Sequence, residues 1–350
     1  MLPGRRRWIV SGKNIESSEE FAAQQDASFA YSNNAEKRPS SSICMRTLLA
    51  SYCLVVATYA HSACQLSTEP HPNGVVGLQL FYPDDPRSWQ WADELNVPWL
   101  RIELRWDWIE PYQGRFDAAY SDRVMALASA HRQKLMVLFN HVPAWARDPD
   151  RLPRHTAAAI RWLVTRYGRR VQAWEIINEP NLPGYGWFRM ESQQKSATVY
   201  ARTLAAASNA IRELDKKAIV VSGGLSPQAD PETYAIWIVR LTPLACFDAL
   251  GLHPYGQQGR FAAVKKNADT LLAQEHTLPK PIWFTEYGTD QDSQRPEIIE
   301  ALKREKSAVP ITFFFAERDF GGWFTESYGL RTKGGEPKAG YNAFKLLNGP

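Results

Sequence analysis

Trp174-Glu175-Ile176-Ile177-Asn178-Glu179-Pro180-Asn181 is the stretch that decides how this chain reads. A basic segment over 161–170 with the pattern of a helix precedes it, and Val171-Gln172-Ala173 lead in. The stretch is therefore a buried strand running out into a loop. Pro180 cannot donate to a sheet ladder and ends the strand. An apolar strand that finishes in Asn-Glu-Pro carries a carboxylate to the mouth of a sheet. Burial of a carboxylate is costly, which makes Glu179 a candidate functional group.

Outward from this stretch the same unit repeats. Strand patterns fall at 75–80, 99–104, 134–141, 171–179, 218–224, 247–253, 281–286 and 311–315. Helical patterns follow them at 86–95, 117–133, 154–168, 193–215, 231–241, 260–274, 294–305 and 337–347. Eight strand–helix units in about 275 residues predict a (β/α)8 barrel, a TIM barrel, as a single domain over 74–350. An open doubly wound sheet is the alternative, but no Gly-rich phosphate loop follows the first strand.

Ahead of this domain the pattern changes. Residues 1–44 are polar, without a sustained period, and read as disordered or as lying upstream of the true start. Residues 45–63 begin Met45-Arg46, continue through an apolar run and exit in small residues, which is the layout of a secretory signal peptide. The apolar run is short for a membrane span, so no transmembrane span is expected in the mature chain. Secretion or export to a periplasm is the expectation, with lipid anchoring at Cys64 as a less well matched variant. Cys64 and Cys246 are too few and too far apart to read as a disulfide framework, and Cys246 reads as a small buried hydrophobe.

Of the 350 residues, 44% are hydrophobic and 13 are Trp, enough for a large core and for rings lining a groove. The formal charge of +4 owes much to the N-terminus: beyond residue 64 there are 34 basic to 32 acidic residues. No basic stripe follows, so nucleic acid is not an expected partner. No metal-ligand spacing occurs, and no cofactor is implied.

In a barrel of this kind the chemistry gathers past the C-terminal ends of the strands. Those positions hold Arg101 and Trp106, His141, Asn178 and Glu179, His253 and Tyr255, and Glu286. A carboxylate pair without metal ligands suits hydrolysis of a glycosidic bond, in which one Glu attacks ionised and the other donates a proton. Their surroundings must then favour opposite protonation states. Arg101 and Tyr255 are candidates to hold Glu286 ionised, and burial beside that charge would keep Glu179 protonated. Glu175 shares the strand parity of Glu179 and is expected to pair inside the barrel with an Arg. Glu110 is expected to pin its own loop. Trp106, Trp145 and Trp187 are the rings considered for stacking on a carbohydrate.

Asn178-Glu179-Pro180 and Thr285-Glu286, on strands four and seven, resemble the clan A retaining glycoside hydrolases. Arg101 with Trp106-Asp107-Trp108-Ile109-Glu110-Pro111, His141-Val142-Pro143-Ala144-Trp145-Ala146 and His253-Pro254-Tyr255 are most similar to family 39, and next to family 5. The resemblance implies Glu179 as acid/base, Glu286 as nucleophile and Asn178 near a sugar 2-hydroxyl. It also implies Arg101 and Tyr255 beside the nucleophile, with His141 and His253 in the sugar subsite. Strand eight departs from the pattern: Phe315-Ala316-Glu317-Arg318-Asp319 stands where the clan often has a Trp, and the next Trp is Trp323. No counterpart of the β-sandwich appended to many family 39 enzymes is expected after the final helix. A carbohydrate-binding barrel without turnover and a transglycosylase would use the same residues.

Overall fold

The computed structural model describes residues 64–184, 186–275, 280–320 and 327–347. The expectations for residues 1–44 and 45–63, and Trp323, lie outside them. Eight strands form one parallel sheet: β1 Val75–Leu80, β2 Trp99–Arg105, β3 Lys134–Asn140, β4 Ala173–Ile176, β5 Ile219–Ser222, β6 Leu250–Leu252, β7 Ile282–Tyr287 and β8 Ile311–Phe314. The ladder runs β5-β4-β3-β2-β1-β8-β7-β6. Between them lie α1 Pro86–Glu94, α2 Trp106–Ile109, α3 Ala119–Ala130, α4 Leu152–Tyr167, α5 Gln193–Leu214, α6 Pro231–Leu241, α7 Phe261–Gln274, α8 Arg295–Glu305 and α9 Tyr341–Lys345. This is the expected (β/α)8 barrel. Its strands are near-continuous apolar runs because helices cover the outside and side chains fill the inside; β3 is buried at every position after Lys134.

The inside is layered. Trp99, Met136, Trp283 and Phe313 pack into an apolar floor, each buried ring or thioether contributing roughly 1.5–3 kcal/mol. Above that floor the inward positions become polar, and the chemistry begins there.

Three differences from the expected elements have local causes. β4 stops at Ile176 because Ile177 and Glu179 take φ of +63° and +43°, outside the β region. The last helix is short, α9 covering five residues. α2 turns Trp106 to Ile109 back over the mouth directly after β2, where its Asp107 N–H bonds the His141 carbonyl at 3.2 Å.

The two outer strands, β5 and β6, close the barrel through single bridges, Val221 with Ala249 and Leu225 with Leu252, instead of a continuous ladder. A segment ahead of β1 crosses the base of this seam. Ser67 donates its hydroxyl to the Lys217 carbonyl just before β5 (2.6 Å) and its N–H to Asp248 just before β6 (2.6 Å). Asp248 also accepts from the Val220 N–H at 2.6 Å and pairs with the buried Arg212. Cys64 is disulfide-bonded to Cys246. The sequence reading of these cysteines is thereby corrected. A sulfur in a disulfide has no thiol for a thioether, so lipid attachment at Cys64 is set aside too. Spacing could not show the pairing, because the approach of the two cysteines depends on the path of 64–69 beneath the finished barrel.

Candidate active site

Arg101 is the hub of the polar layer. It lies on β2 in line with Trp99 and points inward. Its five N–H groups make five bonds: to Glu175 from Nε (2.6 Å) and Nη2 (3.2 Å), to Asn178 Oδ1 (2.8 Å), to Gln79 Oε1 (2.8 Å) and to Glu286 Oε1 (2.6 Å). A guanidinium has no further donor. Glu175 is wholly buried, as its parity predicted, and its Oε1 also accepts from the Gly224 N–H at 3.0 Å. Buried charges survive only when paired and fully hydrogen-bonded, a condition Arg101 and Glu175 meet together.

Glu286 owes its direction to a register shift in β7. Phe284 pairs with Thr312 and Tyr287 with Phe314, so one extra residue is fitted into β7. A bulge lets adjacent residues turn to the same side. Thr285 and Glu286 accordingly both reach groups inside the barrel: Thr285 Oγ1 lies 3.1 Å from His253 Nε2, and Glu286 Oε2 accepts from the Tyr255 hydroxyl at 2.9 Å. Burial first, and the charge of Glu286 next, hold the Tyr255 hydroxyl well above its ordinary pKa, so it remains a donor.

Glu179 comes to the same place from β4. Its N–H bonds the Gly224 carbonyl at 3.1 Å, and its Oε1 lies 3.0 Å from His253 Nδ1. The same nitrogen is 3.7 Å from Glu286 Oε2. His253 is fully buried between the two carboxylates. Desolvation lowers its pKa, but the charge of Glu286 and the bond to Glu179 outweigh it, and the net direction is upward. Gly224 is required here: a Cβ would stand 2.1 Å from His253 Nε2 and 2.2 Å from Thr285 Oγ1.

Asn178 lies beside Arg101 as described, and its N–H bonds Asn140 Oδ1 at 3.1 Å. His141, with φ of +63°, turns its Nε2 to Glu103 at 3.1 Å. Arg105 belongs elsewhere: it forks onto Asp107 (3.0 and 2.7 Å) and lies 4.6 Å over the Trp108 ring.

The three expected ring platforms separate. Trp106 and Trp187 are wall residues, a correction to the sequence reading. Trp106 is buried against Phe139, with its N–H on Glu110, and Trp187 is buried with its N–H on Ser196. A ring that presents no face to solvent cannot stack on a sugar. Trp145 is half-buried, its N–H on the Glu110 carbonyl. Glu110 pins the loop, taking Trp106 Nε1 at 2.8 Å and Gly114 N–H at 2.7 Å. Beside Tyr255, Tyr328 adjoins Phe315 and stacks with Phe320, which in turn stacks on Phe81 at 4.4 Å. Among the described residues, these rings form an aromatic cluster past the end of strand eight.

Sequence reasoning missed Gln79, Gly224 and Glu103, and it gave Thr285 only as the neighbour of Glu286. Gln79 and Glu103 lie at inward strand positions, and parity with Arg101 was the available signal for Glu103. Among the described residues, no group of three or more His, Cys, Asp or Glu side chains is gathered as a metal site.

Glycoside hydrolases are what this chain resembles in structure. A family 39 glycoside hydrolase from the gut symbiont Bacteroides cellulosilyticus WH2 superposes with a TM-score of 0.64 at 17% identity, over 79% of this chain and 64% of that one. A GH5_18 from Bifidobacterium longum subsp. infantis gives 0.58 at 14% identity, over 80% and 79%. At such identities the likeness speaks for the fold alone, a (β/α)8 barrel. In sequence, Endo-1,4-beta-xylanase A of Phanerodontia chrysosporium is 31% identical over 85 residues, 22% of this chain. The match spans 21% of that curated relative, about a fifth of its length. No family model matches the chain.

Proposed function

We propose that this protein is a glycoside hydrolase that cleaves O-glycosidic bonds of a poly- or oligosaccharide by double displacement. The observation that carries it is the shared His253 nitrogen, 3.0 Å from one carboxylate and 3.7 Å from the other. The nearest oxygens are separated by the sum of these distances only if the nitrogen lies on the line between them, and any bend brings them closer. That favours the spacing of about 5 Å used by retaining enzymes over the roughly 6.5–9.5 Å that leaves room for a water.

In this reading Glu286 attacks the anomeric carbon while Glu179 gives its proton to the departing oxygen. The C–O bond breaks, a covalent glycosyl ester forms on Glu286, and the aglycone leaves as an alcohol. Glu179, now anionic, takes a proton from water; the hydroxide oxygen displaces Glu286, and configuration at the anomeric carbon is retained. Arg101 and Tyr255 orient Glu286 for attack and receive it again as a leaving carboxylate. Asn178, fixed by Arg101 and Asn140, is positioned for a sugar 2-hydroxyl, and His253 keeps Glu179 from swinging away. The family 39 and family 5 likeness supports the same assignment and β-linked substrates. The Cys64–Cys246 bond supports an oxidising compartment, secreted or periplasmic.

Glu179→Ala and Glu286→Ala, assayed on a panel of aryl β-glycosides, test this. Each is expected to lose at least about 10³-fold in kcat. Azide should restore Glu286→Ala with a glycosyl azide of inverted configuration. Full activity in either variant overturns the assignment. Sugar binding with no turnover by the wild type would identify a binding barrel instead.

A further inference from the structure

Glu103 is a carboxylate in the mouth of the barrel that the double displacement does not use. It follows Arg101 by two positions on β2 and points to the same side, about 6–7 Å further along the strand toward the end where barrel ligands sit. Its Oε1 accepts from Asn140 Nδ2 at 2.6 Å and is 3.1 Å from His141 Nε2. Oε2 takes no hydrogen bond from the described residues. The side chain is 28% exposed and that of His141 26%, so both face open space. Asn140 joins this pair to the machinery, since its Oδ1 accepts the N–H of Asn178, the neighbour of Glu179.

This carboxylate is fixed, partly open and charged. Burial pushes its pKa up, but the bond and charge of His141 outweigh that and hold it below the ordinary range. The cations beside it are committed: Arg101 has used all five N–H groups, and Arg105 is turned to Asp107 and Trp108. A sugar hydroxyl can donate to Oε2, while a second carboxylate would meet the like charge of Glu103, and His141, the remaining cation beside it, already turns its Nε2 to Glu103.

We propose that Glu103, held by Asn140 and His141, selects a neutral sugar through its hydroxyls and excludes a uronic acid from the adjoining subsite. This rests on the glycoside hydrolase reading. The test compares an aryl β-glycoside of a neutral sugar with the matching β-uronide, in wild type and in Glu103→Gln, which keeps the shape and removes the charge. Wild type is expected to prefer the neutral glycoside strongly. Glu103→Gln should lose about tenfold in kcat/KM on it, from exchange of a charged for a neutral acceptor, and its uronide-to-neutral ratio should rise at least about tenfold. Equal use of both substrates by wild type, or an unchanged ratio in the variant, overturns the proposal while leaving the hydrolase intact. If wild type cleaves neither, the hydrolase reading falls, and calorimetric binding of neutral and uronate oligosaccharides to wild type decides: tighter uronate binding refutes the role of Glu103. That last comparison also serves if Glu103→Gln fails to fold.

Discussion

His253 is the residue on which the candidate site turns, because one ring nitrogen adjoins both carboxylates and the other adjoins Thr285. Its pKa is raised in the folded protein, so its protonation is linked to folding. The sign is that of a histidine gaining anionic partners. The stabilisation is fully present below the unfolded pKa of about 6.5 and is lost as pH rises through the higher folded value. The gap in melting temperature between wild type and His253→Gln is therefore expected to be widest at low pH and to shrink on the alkaline side of 6.5. A gap independent of pH would refute this linkage. At this scale the sequence spoke through strand ends: Asn178, Glu179, His253, Tyr255 and Glu286 are each in or just past one. Gln79 was silent because an uncharged residue at an inward position looks like any other filler. Trp106 and Trp187 misled, since a Trp next to a strand end serves wall and groove equally well by composition.

At the scale of elements, the bulge in β7 and the seam between β5 and β6 place the two glutamates. The bulge turns Glu286 inward beside Thr285. The seam lets Gly224 run close enough for its carbonyl to take the Glu179 N–H and its N–H to meet Glu175. Gly224→Ala puts a methyl group against His253 and Thr285 at 2.1–2.2 Å, so the seam or the ring must shift. Displacements of about an ångström around reacting groups cost roughly 10²-fold. The variant is expected to lose about that much in kcat/KM while it retains most of its far-ultraviolet circular dichroism; full activity would show that the seam does not set the position of His253. The alternation of strands and helices was legible throughout, since parallel strands buried on both sides are bounded apolar runs. The bulge was not legible: it depends on how β7 meets β8, and Phe284-Thr285-Glu286-Tyr287 carries no local mark of it.

For the molecule as a whole, the disulfide joins residues 182 apart in sequence. A cross-link over so long a loop contributes roughly 2–4 kcal/mol, mainly by restricting the unfolded chain. Reduction, or Cys64→Ser with Cys246→Ser, is expected to lower the melting temperature by several degrees, with amide exchange accelerating first in β5 and β6. Unchanged exchange at those strands would show that the cross-link is incidental to closure. Ser67 and Asp248 work beside the disulfide, so the weakest junction of the barrel is closed from below by residues that precede the first strand. The consequence is a boundary that counting strands does not reveal. A chain shortened to begin at Gly74 keeps all eight strands and both glutamates, yet it has lost the clasp. The portion that keeps its closure then starts at Cys64, ten residues ahead of the repeating pattern.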